Sequence, residues 1–150
     1  LALEVLGYTL DTTSAALQIL LDATQPSENV TVRTAALRGL AHARAVGPSV
    51  LDALQALLDS SSFEVRCAAA AALGHLIRSL PDPALTSDQM MVIARRVADL
   101  LHGLAPCAAW DTGSGTQNEL LWALSWIVER ARPGAPRLPD GLEQAAGEFD

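Results

Sequence analysis

The chain contains no lysine. Each of its 10 basic residues is an arginine, set against 17 aspartates and glutamates. The resulting net charge of -7 repels a phosphate backbone, so nucleic acid is not an expected partner. Cysteine is nearly as scarce. Cys67 and Cys107 are too few for a disulfide framework, and Cys67 lies in an alanine-rich run that reads as core. A reduced, cytoplasmic setting is therefore expected. No apolar run approaches the roughly 18 residues that a membrane helix needs, so membrane insertion is not expected either. Aromatic residues amount to only 4%, which leaves small aliphatic side chains to fill a core. In the absence of a recognisable signal peptide, Asn29-Val30-Thr31 reads as a chance match to a glycosylation sequon. The opening Leu-Ala-Leu-Glu-Val-Leu-Gly-Tyr reads as the inside of a helix and predicts a fragment of a longer protein.

What is present is half hydrophobic, over 150 residues, and enough for one domain with a sizeable core. It is also repetitive. Val32-Arg33-Thr34-Ala35-Ala36-Leu37-Arg38-Gly39-Leu40-Ala41-His42 aligns without a gap on Val65-Arg66-Cys67-Ala68-Ala69-Ala70-Ala71-Ala72-Leu73-Gly74-His75. A second pattern alternates with the first: Leu17-Gln18-Ile19-Leu20-Leu21-Asp22 matches Leu54-Gln55-Ala56-Leu57-Leu58-Asp59. The unit is one helix ending in Leu-Leu-Asp, a short turn, and a second helix beginning Val-Arg. Neither amphipathic helix can bury its apolar stripe alone, and stacking on neighbours supplies a continuous core.

The helix signals place hairpins at about 13–45, 49–79 and 87–131, after a leading half-repeat at about 1–9. Ser49 with Asp52, Ser61 with Glu64, Thr86 with Gln89 and Thr116 with Glu119 have capping-box spacing. Gly47 and Gly103 are expected just beyond helix ends, where a left-handed residue closes the last turn. A loop at about 104–115, carrying Trp110, Gly113 and Gly115, is expected inside the third hairpin. The repeat domain thus covers 1–132. The Pro- and Gly-containing tail, 133–150, has room for one short capping helix.

These motifs resemble the HEAT-repeat family, through Leu-Leu-Asp at 20–22 and 57–59, Val-Arg at 32–33 and 65–66, and the Ala-Ala…Leu-Gly pattern ending at Leu73-Gly74. The resemblance implies an all-α, right-handed solenoid of about three helical hairpins plus the leading half-repeat. It also implies a ladder of side-chain bonds within and between repeats, formed by Asp22, Arg33, Asp59 and Arg66. The third hairpin departs from the pattern, with His102 in place of the Asp and Thr116-Gln117 in place of Val-Arg. It reads as a terminal cap or as a specialised unit.

Second helices line the concave surface in such stacks, and that surface commonly binds proteins. Repeat phase puts Tyr8, His42, His75 and Trp126 in one column. These planar side chains either pack between adjacent helices or contact a partner. A neighbouring column carries Glu4, Arg38, Ala71 and Trp122, with Arg78 and Glu129 one turn further along. Trp122 and Trp126 are four apart and share a helix face. Either they plug the core end or they supply the apolar anchor that a binding hot spot requires.

No phosphate loop, His-Glu-x-x-His or Gly-x-Ser-x-Gly motif is present. His42 and His75 are expected about 10 Å apart, the separation of packed helices, and so too far apart to share a metal. Neither a cofactor nor a metal is expected. The leading expectation is a non-enzymatic scaffold for a protein partner. A regulatory or sensor region of a larger multidomain enzyme, such as an ATPase, is the alternative. Catalytic HEAT-like proteins also exist. The acidic charge disfavours the DNA glycosylases among them, while Arg38, Arg78, His42 and His75 leave a bilin-lyase-like cradle as a third possibility. The sequence does not fix the oligomeric state.

Overall fold

A computed structural model describes residues 14–43, 47–80, 85–104 and 110–132. Six helices and no strand occur among these residues: α1 Ser14–Asp22, α2 Val30–Ala41, α3 Pro48–Leu57, α4 Phe63–Ser79, α5 Ser87–Leu104 and α6 Trp110–Ala131. Each pair of neighbours in the chain, α1 with α2, α3 with α4 and α5 with α6, packs together. The even-numbered helices also pack on one another, α2 on α4 and α4 on α6, in a continuous row. The leading half-repeat and the tail lie outside the described residues.

The core follows from the periodicity. In α5, Met90, Ile93, Ala94, Val97 and Leu100 are buried, one stripe at helical spacing. In α6 the stripe is Leu120, Ala123, Ile127 and Ala131. α4 is buried on most of its circumference, because α2, α3, α5 and α6 all pack against it. Alanine dominates its sequence for that reason: helices closing from several sides leave little room for larger side chains. Ala69 is fully buried there. Ala69→Leu is expected to overpack the stack and to cost about 1–3 kcal/mol. Thermal or urea unfolding of the two proteins checks this, and an unmoved transition rejects the close packing.

Helix starts agree with the sequence in part. Thr86 and Gln89 form a reciprocal capping box: Thr86 Oγ1 accepts from the Gln89 N–H at 3.1 Å, and Gln89 Oε1 accepts from the Thr86 N–H at 2.9 Å. The cap of α4 is Ser62 rather than Ser61, and its hydroxyl accepts from the Val65 N–H. Gly47 does not close a helix but precedes α3 as its N-cap, and Ser49 lies within that helix. Pro48, whose φ is fixed near the helical value, supplies the start there. Asn29 caps α2 by accepting from the Val32 N–H at 2.9 Å. Gly103 lies inside α5.

The largest difference is in the third pair. The expected loop at 104–115 is replaced by helix from Trp110 onward, so Thr116 is interior and caps nothing. Each glycine in a helix costs about 1 kcal/mol relative to alanine. α6 as a whole packs along both α4 and α5, while Gly115 is exposed, with nothing within 4 Å of where a Cβ would stand.

Candidate functional site

Two groups of polar and aromatic side chains stand out, at opposite ends of the second helices. The first is at the turns that precede them. Arg33 is buried, and its Nε donates to the Thr24 carbonyl at 2.9 Å. One of its terminal nitrogens reaches Ser60 Oγ in the next turn at 3.5 Å. Arg66 repeats the first interaction, donating to the Ser60 carbonyl at 2.6 Å. Asp59 forms an ion pair with Arg96 of α5. Asp22 accepts from Gln18, one turn back in its own helix. Among Asp22, Arg33, Asp59 and Arg66, Arg33 and Asp59 reach into the following repeat, and Asp22 and Arg66 bond within their own. The two arginines bind turn carbonyls and Ser60, and the two aspartates bind other side chains. Backbone carbonyls need donors wherever a tight turn exposes them to protein, and an arginine fork reaches them from the following helix.

The second group crosses the C-terminal halves of α2, α4 and α6. The His42 and His75 rings lie 5.5 Å apart between centroids, and His75 lies 4.9 Å from Trp126. The expected His42–His75 separation of about 10 Å, taken from the spacing of packed helices, is therefore too large for the rings. The two imidazoles shorten it by reaching across the gap toward each other. Trp126 in turn stacks on Trp122 at 6.0 Å, with an interplanar angle of 28°. The Arg78 guanidinium lies over the Trp126 ring, 4.7 Å from its centroid. His42, His75 and Trp126 are half-buried, Arg38 and Arg78 are exposed, and Trp122 is 60% exposed. The exposed Leu121 is its neighbour in sequence. Tyr8, the fourth member of the column, lies outside the described residues.

This arrangement has consequences for titration. Burial lowers the His75 pKa below its ordinary 6.5, and the nearby His42 and Arg78 lower it further. A depressed histidine favours the fold fully above the unfolded pKa, and that contribution is lost as pH falls below about 6.5, because the unfolded chain then binds a proton that the folded one resists. Stability is therefore expected to decline on acidification through this window. His75→Gln is expected to flatten that part of the profile, as measured by urea unfolding at a series of pH values. An unchanged slope would show that His75 is not the responsible group.

Cys67 behaves as core. Burial pushes its thiol up to about 11, Arg66 opposes this, and Glu119 and Glu64 add to it. In a Cys107→Ser background, the Cys67 thiol is expected to resist alkylation near pH 8 until denaturant is added. Rapid modification of the folded chain would contradict that burial. No group of three or more His, Cys, Asp or Glu residues capable of holding a metal occurs among the described residues. Nor is any helix among them long and apolar enough to cross a membrane.

Comparison with known proteins bears on the architecture. A family model of HEAT repeats matches residues 2–87, more than half of the chain. The chain belongs to the HEAT-repeat family. No curated protein and no solved structure matches it. HEAT repeats generally mediate protein–protein interaction. In this HEAT-repeat chain, the matched segment contains α1 to α4 and hence His42, His75 and Arg78, while Trp122 and Trp126 come from α6 beyond it.

Several contributors escaped the sequence reading. Arg130 donates to the Leu80 carbonyl at 2.9 Å and so fixes the end of α4 to α6. Thr24 and Ser60 receive the arginines at the turns. The only sequence signal for them was a hydroxyl residue shortly after each Leu-Leu-Asp motif.

Proposed function

We propose that this HEAT-repeat chain is a non-enzymatic protein-interaction scaffold. In this reading it is a right-handed solenoid of three hairpins after a leading half-repeat, within residues 1–132. The second helices α2, α4 and α6 form its concave face, and that face holds a protein partner. The supporting observation is Trp122: a tryptophan 60% exposed, in a chain with 4% aromatics, stacked on a second tryptophan beside Arg78. Solitary exposed apolar side chains are ordinary on a surface, but an aromatic anchor beside a guanidinium has hot-spot composition. The row of His42, His75 and Trp126 beneath it is ordered by ring contacts, which keeps the ordering cost of association low.

The test is affinity capture from the native host with the unaltered protein and with the combined Arg38→Ala, Arg78→Ala and Trp122→Ala variant. A partner identified with the unaltered protein is expected to be lost with the variant, while the far-UV circular dichroism stays unchanged. Equal capture by both proteins rejects this face as the working surface.

A further inference from the structure

Charge on the open face of the α2–α4–α6 row points to the class of partner; the inference rests on that face being the docking surface. The face is electrically divided. Towards the C-terminal ends of α2 and α4 it carries the exposed Arg38 and Arg78, with Trp126 beneath Arg78 and the exposed Glu129 on α6. Its N-terminal half carries Glu64 and Glu119, both exposed. A net charge of -7 is therefore a poor description of the C-terminal half. Screening confines exposed charges to a range of about 8–10 Å in physiological salt, so the local cluster decides what settles there.

Arg78 is held in a particular way. A guanidinium carries its N–H donors in the plane of the group, at its edge. The Arg78 guanidinium carbon lies over the Trp126 ring, 4.7 Å from its centroid, which localises the group while the side chain as a whole remains exposed. A localised fork of this kind is matched to the two oxygens of a carboxylate. Trp122 stacks on the same Trp126 ring that Arg78 lies over, and it is 60% exposed. Cation and apolar platform are joined through one ring.

We propose that the C-terminal half of this face docks a short acidic segment of a partner polypeptide. One carboxylate of the segment takes the edge of the Arg78 guanidinium, and an adjacent apolar side chain packs on Trp122. A long polyanion such as a nucleic acid is disfavoured, since its phosphates would extend past the basic half onto Glu64 and Glu119. A basic segment meets Arg38 and Arg78 first.

The experiment titrates the full chain into three fluorescein-labelled peptides, read by anisotropy and by intrinsic tryptophan fluorescence. The first repeats Glu-Glu-Leu-Phe, the second Lys-Lys-Leu-Phe, and the third Glu-Glu-Ser-Ser. The first is expected to bind, to perturb the tryptophan emission and to weaken with added salt. Arg78→Glu is expected to weaken it by about tenfold or more, since an attraction is replaced by a repulsion. The same variant is expected to gain affinity for the Lys-Lys-Leu-Phe peptide, a gain that unfolding cannot produce. Trp122→Ala is expected to reduce binding of the first peptide to the level of the third.

Tighter binding of the Lys-Lys-Leu-Phe peptide to the unaltered chain, abolished by Trp122→Ala, would overturn the acidic class and leave the docking face standing. Equal binding of duplex DNA would overturn it as generic polyanion attraction. Binding of the first peptide that ignores both Arg78→Glu and Trp122→Ala would overturn the docking face itself. Absence of binding by any peptide, with a native partner still captured through Trp122, would again remove the acidic class alone.

Discussion

Gly74→Ala is expected to destabilise the helix stack, although it replaces a mid-helix glycine with the best helix former. Propensity alone predicts a gain of about 1 kcal/mol. Packing predicts the reverse. A Cβ at position 74 would lie 2.4 Å from Ala123 Cβ and 2.6 Å from Ala123 Cα. The second of these atoms is backbone of α6, so no rotamer change relieves the contact and α4 and α6 must separate. Overpacking of a well-filled core costs about 1–3 kcal/mol, and here the obstruction is at the severe end. The net loss expected for Gly74→Ala is on the order of 1–2 kcal/mol, with a larger loss for Gly74→Val. A double-mutant cycle with Ala123→Gly identifies the cause. Removing the Ala123 Cβ abolishes the shorter contact but leaves the one to Cα, so partial rescue is expected. Urea unfolding of the four proteins measures it. A stabilised Gly74→Ala would mean that the two helices are not in close approach at this point.

Gly74 illustrates how the sequence was informative. Its place in the Leu-Gly motif announced a small residue in the second helix of a repeat, but not the identity of the residue opposite. The same division runs through the fold. The in-phase motifs located α1 to α4, and the buried Leu20, Leu37, Leu40, Leu54 and Leu73 occupy the expected apolar positions. Helix starts were less legible, because Ser61 and Ser62 offer the same hydroxyl and only backbone geometry chooses between them. The start of α6 differs because two glycines speak for a loop locally, yet the helix begins at Trp110.

The site was legible in one dimension. Repeat phase put His42, His75 and Trp126 in a common column, and their rings do stand in line. Phase says nothing of side-chain reach, and for that reason the two histidines are nearer than helix spacing suggests. The position of Arg78 over Trp126 depends on a rotamer and had no sequence signature. The turn network was hidden for a different reason. Two of its acceptors, at Thr24 and Ser60, are carbonyls, which every residue possesses, so the arginines could be anticipated and only the Ser60 hydroxyl left a trace of their targets.

That network carries the second large effect. Arg33→Leu is expected to cost about 2–3 kcal/mol, measured by urea unfolding. Arg33 is 7% exposed, and Thr24, whose carbonyl it serves, is buried as well. Leucine fills much of the volume of the arginine stem, so the cavity penalty is limited. What remains is a turn carbonyl deprived of its donor, together with the lost reach to Ser60 Oγ in the next turn. A buried acceptor left unsatisfied forfeits its hydration without compensation. Arg33→Lys should recover only part, because the donor at Thr24 is the Nε of a planar fork and an ammonium cannot hold both contacts. Arg66→Leu is the internal control. Arg66 performs the same task on the Ser60 carbonyl but is half-buried, so water can take its place and the expected cost is smaller. The order of the two losses is the decisive reading. If Arg66→Leu costs as much as Arg33→Leu, burial is not what gives the turn arginines their weight. If neither costs anything, the stack is held by its apolar stripe alone.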